Sequence, residues 1–321
     1  MGNILLALGV VLLAASALGL WGLHRFSARL ARRAEADVPP AGRFVDTPEG
    51  RVHLVEAGQG PPLVLIHGLG GQLQHFTYAL SERLADDFHV IIVDRPGSGY
   101  SERGGGADDA GLAAQARQIR NAWRALGVER PLLVGHSLGG AVALALAEDY
   151  PDEVAGLALL APLTARESEV PPAFRGMTIR SPRWRRFVAD TFAAPLGVRY
   201  ATRMLAAIFA PEPVPADFAT RGGGLLAMRP QAFYANSSDL VRLENDMPAL
   251  IRRYPELRLP VAILFGERDR ILEPARHGLA LRDRLPGLAV ETLPEAGHML
   301  PLTRPDETAA FIRRVVARAC E

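Results

Sequence analysis

A serine held between glycines at the end of an apolar run is the first feature of the chain with chemical content. Gly135-His136-Ser137-Leu138-Gly139 follows the apolar run Leu132 to Gly135 and opens an Ala- and Leu-rich stretch, Leu138 to Asp149. A strand that turns sharply into a helix lifts a serine Oγ clear of the backbone, and small neighbours let the two segments pass closely. The helix start also leaves N–H groups free beside the hydroxyl. The plain alternative is an ordinary serine at a helix N-cap.

A serine hydroxyl is a weak nucleophile and needs a base. Of the eight histidines, His298 lies in Ala296-Gly297-His298-Met299, after the strand-like run Val290 to Leu293 and before the last helix, where a loop reaches the same rim. A carboxylate that fixes the imidazole tautomer and stabilises the imidazolium is expected between the two in the chain. Asp269, in Gly266-Glu267-Arg268-Asp269 after the run Val261 to Phe265, fits that place; Glu267 and Glu295 compete with it. A loop-capping role is the alternative for Asp269.

An oxyanion requires two donors. The Leu138 amide follows the nucleophile and is one. The other is expected from His67-Gly68-Leu69-Gly70-Gly71, whose glycines permit turns that other residues resist. Leu69 is the first choice and Gly70 the second. His67 and His136 read as structural hydrogen-bonding groups around the site, and His24, His53, His75, His89 and His277 as ordinary. Asp94-Arg95-Pro96-Gly97-Ser98-Gly99 reads as a turn held together by its carboxylate. The histidines lack metal-ligand spacing and no glycine pattern sits in a dinucleotide context, so neither a metal nor a cofactor is expected.

The elements that must position these residues follow from the pattern. Leu63 to His67, Val90 to Asp94, Leu132 to Gly135, Leu157 to Ala161 and Val261 to Phe265 are short, fully apolar runs, as strands buried on both faces of a parallel sheet must be. Arg43 to Thr47 and Arg51 to Ala57 form a strand pair around Pro48-Glu49-Gly50. Helical stretches alternate with the runs: Gln74 to Ala85, Asp108 to Leu126, Leu138 to Asp149, and Asp306 to Ala319 at the end. The alternation predicts a mostly parallel, doubly wound α/β sheet. Residues 162–259 break it. They hold no buried strand but helix-like pieces near Trp184 to Thr191, Val198 to Phe209 and Phe233 to Leu240, and read as a helical cap inserted into a core of residues 43–161 and 260–321.

With 321 residues, 49% of them hydrophobic, and a net charge of +1, the chain suits one such domain and carries no basic excess for nucleic acid. It contains no lysine. The single cysteine, Cys320, excludes an intrachain disulfide and reads as a frayed terminal thiol. Ile4 to Leu23 is apolar, uncharged and long enough to span a bilayer. No basic residue precedes it, which argues against a cleaved signal peptide, the competing reading. Arg25, Arg29, Arg32 and Arg33 follow it, and basic residues prefer the cytoplasmic side. Residues 1–33 are therefore read as a single-pass anchor with its basic flank in a bacterial inner membrane. Residues 34–42 read as a linker, and the catalytic domain faces the cytoplasm. Cut free of residues 1–33, that domain is expected to stay folded. Myristoylation at Gly2 is rejected because residue six is Leu6.

Taken in order, the His67 to Gly71 loop, the Asp94 to Gly99 turn, Gly135 to Gly140, Gly266 to Asp269 and Gly297-His298 resemble the α/β-hydrolase superfamily over residues 43–319. The resemblance implies a Ser137–His298–Asp269 triad with Leu69 and Leu138 as oxyanion donors. It points to membrane-anchored carboxylesterases and monoacylglycerol lipases, hydrolysing short- to medium-chain or monoacylglycerol-type esters through an acyl-enzyme. Carbon–carbon bond hydrolases and cofactor-free haloperoxidases or perhydrolases share the triad, and a non-catalytic binding module is a further alternative. Epoxide hydrolases and haloalkane dehalogenases carry an aspartate where Ser137 stands. An apolar cap over the serine suits acyl chains, with Leu69, Phe187, Phe209 and Met299 as candidate substrate contacts.

Overall fold

The computed structural model describes residues 2–106, 109–167, 170–285 and 287–319. Asp108, the expected start of a helix, and Cys320 lie outside them. Eight strands form one sheet: β1 (Arg43–Thr47), β2 (Gly50–Ala57), β3 (Pro62–Ile66), β4 (His89–Val93), β5 (Leu132–His136), β6 (Gly156–Leu160), β7 (Val261–Gly266) and β8 (Ala289–Leu293). Their order is β1-β2-β4-β3-β5-β6-β7-β8. β1 and β2 pair antiparallel, as do β2 and β4, and all other neighbours run parallel. Every residue of β5, β6 and β7 is buried, so these apolar runs have core on both faces.

The longer helices are α1 (Gly2–Asp37), α2 (Leu112–Ala125), α3 (Leu138–Asp149), α4 (Pro182–Val188), α5 (Ala194–Phe209), α6 (Pro230–Arg253) and α7 (Pro305–Ala319). α3 is buried from Leu138 through Ala147. A helix apolar all round has no solvent face and belongs inside, which places the residue before it deep in the rim of the sheet. The stretch Gln74 to Ala85 is two short helices, Gln74–Thr77 and Leu80–Leu84. The backbone breaks at Ala79 (φ −152°, ψ −30°), beside Tyr78, whose hydroxyl donates to Asp217 of the cap (2.7 Å).

The cap holds α4 to α6. Ser181 caps α4, its hydroxyl accepting from the Trp184 amide. A π-helical turn, Ala189–Ala193, carries the chain directly into α5. α6 is much longer than the Phe233 to Leu240 piece expected and contains Pro248.

The segment expected to be a linker begins as helix. α1 continues through Asp37, so residues 34–37, the first part of that segment, are helical. Its apolar first half is exposed, whereas Ser27, Ala34 and Val38 are buried at helical spacing. The second half of the helix docks on the cap and the core beside it: Ser27 donates to the Thr191 carbonyl (3.3 Å), Glu35 pairs with Arg229 (3.2 Å), and the Val38 carbonyl accepts from the Tyr100 hydroxyl of the core (2.6 Å). A cut at residue 33 would divide this contact. A chain that begins at Leu20 keeps it and should melt within about 2 °C of the detergent-solubilised full chain. One that begins at Arg43 loses the burial of Ala34 and Val38, about 2–3 kcal/mol, and should melt about 5 °C or more lower. Equal Tm values for the two truncations would show that the docked half of α1 does not stabilise the domain.

Candidate active site

Ser137 sits between β5 and α3 with φ 54° and ψ −121°, a conformation that costs a non-glycine residue about 1–3 kcal/mol. Its surroundings hold it there. The Ser137 amide donates to the Leu160 carbonyl (3.0 Å), and its own carbonyl accepts from the amides of Gly140 and Leu163 (both 2.9 Å). Two glycines permit the packing. A Cβ on Gly139 would stand 2.0 Å from the Ile66 carbonyl oxygen, and one on Gly68 would stand 2.8 Å from Ser137 Cβ. The loop after β3 therefore lies directly against the serine.

His298, on the loop between β8 and α7, lines the same cavity as Ser137. Its Nδ1 lies 2.7 Å from Asp269 Oδ2, and Asp269 Oδ1 accepts from the amides of Ile271 (2.8 Å) and Leu272 (3.0 Å). The carboxylate is thus oriented from both oxygens. The competing carboxylates face elsewhere: Glu267 accepts from the Thr292 hydroxyl (2.8 Å) and Glu295 pairs with Arg268 (2.6 Å). Of the two candidate oxyanion donors after β3, the Gly70 amide is engaged, donating to Asn236 Oδ1 of α6 (3.1 Å). The Leu69 amide meets no acceptor among the described residues, and Leu69 lines the cavity with Ser137. Leu138 is the first residue of α3, with its amide in the orphan first turn.

The loop is fixed from behind by Arg95, which is fully buried. Its guanidinium donates to the carbonyls of His67 (2.9 Å) and Gly68 (3.1 Å), to Gln115 Oε1 (2.6 Å) and to Asp239 Oδ2 on α6 (2.9 Å). Arg103 holds the other Asp239 oxygen (2.6 Å). Asp94 is structural, as expected: it accepts from the amides of Leu73 (2.7 Å) and Tyr100 (2.9 Å) and lies 2.7 Å from His53 Nδ1. On the histidine side, Glu212 of the cap accepts from the Gly297 amide (3.1 Å) and Arg304 (3.3 Å).

Three further histidines surround the site in neutral form. His136 Nε2 donates to the His298 carbonyl (2.9 Å), and burial, then the nearby His298, holds its pKa well below the usual histidine range. Burial, then Arg95, does the same to His67. His75, expected to be ordinary, lines the cavity; burial and then His298 push its pKa down to about 4.

The cavity beside Ser137 has a volume of about 420 Å³. Phe209 and Met299 line it, packed together with Phe218 and Leu302 where cap meets core. Phe187 does not line it. Its ring stacks on Trp184 (4.9 Å) and meets Phe192 edge-on (5.9 Å), because α4 turns its cavity side one residue further, to Val188. A second cavity of about 300 Å³ also reaches Ser137, walled by Leu138, Leu163 and α6. Asp239, Asn236 and Glu212 were not singled out from the sequence. Each is a polar cap residue whose partner is named only once the cap is docked.

A family model for the α/β hydrolase fold matches residues 61–305. The chain belongs to the α/β-hydrolase family. It is 28% identical over 286 residues to haloalkane dehalogenase 2 of Mycobacterium tuberculosis, covering 85% of this chain and 94% of that one. It is 27% identical over 254 residues to lipase 1 of Psychrobacter immobilis, covering 78% and 75%. A membrane phospholipase A structure superposes with a TM-score of 0.69 over all of both chains at 24% identity, a likeness of fold. Lipase and esterase relatives support a hydrolase in general terms.

Two outcomes follow from this geometry. Asp239→Ala leaves Arg95 buried without its carboxylate. Breaking such a pair costs about 3–5 kcal/mol, so the Tm should fall by about 10 °C; a change under about 2 °C would remove Arg95–Asp239 as the tie between loop and cap. The second concerns acid. Unfolded histidine titrates near 6.5, above the value of His75 in the fold, so the unfolded state takes up the proton first. Stability is fully present above pH 6.5 and is lost as pH falls toward about 4, on the order of 3 kcal/mol from His75. In His75→Gln the fall in Tm between pH 7 and pH 4.5 should be smaller; an unchanged fall would show that His75 is not held neutral.

Proposed function

We propose that the protein is a serine carboxylic-ester hydrolase. One observation carries the reading: the strained Ser137 and the Asp269-oriented His298 face one apolar cavity. In this mechanism His298 Nε2 takes the Ser137 proton as Oγ bonds to the ester carbon, and the carbonyl electrons move onto oxygen between the Leu69 and Leu138 amides. The C–O bond to the alcohol breaks as its oxygen takes the proton from the imidazolium. Water, giving its proton to His298, then attacks the acyl-enzyme. The acid leaves as Oγ recovers that proton. The neutral rings of His75 and His136 place no second positive charge beside the imidazolium.

The apolar lining suits short- to medium-chain acyl esters, since each buried methylene contributes about 0.8 kcal/mol. The exposed apolar half of α1 supports a membrane anchor, followed by Arg25, Arg29, Arg32 and Arg33 on the side of the catalytic domain. On this reading the domain is cytoplasmic and meets lipid-derived esters at the bilayer.

Ser137→Ala should leave the Tm unchanged within about 2 °C, abolish labelling by a fluorophosphonate probe, and lower kcat by on the order of 10⁶. Butyrate and octanoate esters should be turned over faster than acetate, with a β-diketone inert in parallel. Turnover in Ser137→Ala within tenfold of wild type would remove Ser137 as nucleophile. Rapid diketone cleavage without ester turnover would make the protein a carbon–carbon bond hydrolase.

A further inference from the structure

Two chambers meet at Ser137, and the chemistry of the leaving group decides what each one holds. The inference rests on the ester-hydrolase reading. After attack, the former carbonyl carbon carries four substituents: Oγ, the oxyanion, the leaving oxygen and the acyl carbon. The leaving oxygen receives its proton from His298 as its bond to carbon breaks, so it must lie within hydrogen-bond reach of that ring. The acyl carbon receives none and projects away from it. His298 lines the chamber of about 420 Å³. The chamber of about 300 Å³ reaches Ser137 between Leu138 and Leu163, and His298 is not part of its wall.

We infer that the smaller chamber takes the acyl chain and the larger one the alcohol part, so that the preferred substrate is an ester apolar on both sides with the longer chain on the leaving side. The wall of the larger chamber fits this. Met204, Leu205, Phe209, Met228 and Phe233 supply thioether, aliphatic and aromatic surface. Leu196 and Tyr200 line its outer end and are half exposed, which gives a long alkyl chain a way out on the cap surface. Glycerol as the leaving group would set two hydroxyls against a wall whose side-chain partners away from the triad are few, chiefly His75, Tyr200 and Asn236, and a buried hydroxyl that meets none of them is costly. Alkyl esters therefore rank above monoacylglycerols of the same acid.

The test is a two-way set of esters on the full-length protein in detergent: acetate, butyrate and octanoate acids, each as the methyl, butyl and octyl ester, with glycerol monobutyrate added. Acid release is read as kcat/KM. Two variants separate the arms. Gly197 lies on the chamber side of α5, its missing Cβ facing Met228 Sδ at 3.0 Å, so Gly197→Phe narrows the larger chamber and removes a glycine from a helix interior. Leu243→Trp, on α6, narrows the smaller one. Ratios are taken within each protein, so a general loss of activity cancels. In wild type, octyl butyrate should exceed methyl butyrate and glycerol monobutyrate by about tenfold or more, as expected from burying further methylenes. Gly197→Phe should lower the octyl-to-methyl ratio about tenfold and leave the octanoate-to-acetate ratio alone, and Leu243→Trp should do the reverse. The opposite pairing of variant with arm overturns the assignment, as does an alcohol length without effect in wild type. Hydrolysis of none of the esters overturns the ester-hydrolase reading itself.

Discussion

A guanidinium with no access to water exists in a fold only where acceptors meet it, and Arg95 is such a group. Its acceptors come from three parts of the molecule: the loop after β3, Gln115 of α2 and Asp239 of α6. The loop that carries Leu69, the helix behind it and the long cap helix therefore form one hydrogen-bonded unit. Displacing α6 from the core would leave a buried positive charge facing only carbonyls and an amide, at a cost of several kcal/mol. Two further cap contacts act in the same direction. Asn236 holds the Gly70 amide, and Glu212 holds the Gly297 amide beside His298. The cap is thus a structural part of the site.

The serine turn is the other constraint, and it works through close approach. β5 and α3 carry no side chain where Gly139 passes the Ile66 carbonyl, and the loop after β3 carries none where Gly68 meets Ser137. These absences let Ser137, the orphan amides of α3 and the Leu69 backbone converge. Burial around them has an electrostatic consequence. His67, His75 and His136 are pushed toward the neutral form by burial first, so in the proposed mechanism a charge on His298 would meet Asp269 and no competing imidazolium.

Much of this arrangement was legible in the sequence because a buried parallel strand reads as an apolar run, and a loop at the end of such a run has only one rim to occupy. Ser137, Asp269 and His298 each follow a run of that kind, and Gly68 to Gly71 mark a loop that backbone must approach closely. The cap was legible only as an interruption. Asp239, Asn236 and Glu212 are polar residues on or near helices whose inward face is set by docking, and no local pattern distinguishes them from solvated neighbours. Phe187 shows the same limit from the apolar side: residue type favoured it, while helix rotation presents Val188 instead. The supposed linker failed for a different reason. Glu35 and Asp37 resembled solvated chain, yet Ala34 and Val38 keep the helical spacing of Ser27, and the helix stops just before Pro39 and Pro40, where proline cannot continue it.

That docked helix changes what the first residues of the chain can do. A flexible linker would let the domain tumble beneath an anchor, whereas α1 runs unbroken from its exposed apolar half into contacts with the π-helical turn and α5. α5 is also the helix that lines the larger chamber and carries the half-exposed Leu196 and Tyr200. The orientation of the apolar segment is thereby coupled to the orientation of the chamber's outer end, through a rigid helix and a packed interface. The pieces depend on one another in sequence: Arg95 ties the core to α6, α6 and α5 enclose the chamber, and α1 fixes α5 relative to the apolar segment. On the proposed ester-hydrolase reading, a substitution at the α1–cap contact, far from Ser137, would act on the site by loosening the wall that shapes it, so its effect should grow with the length of the substrate chain that the wall contacts.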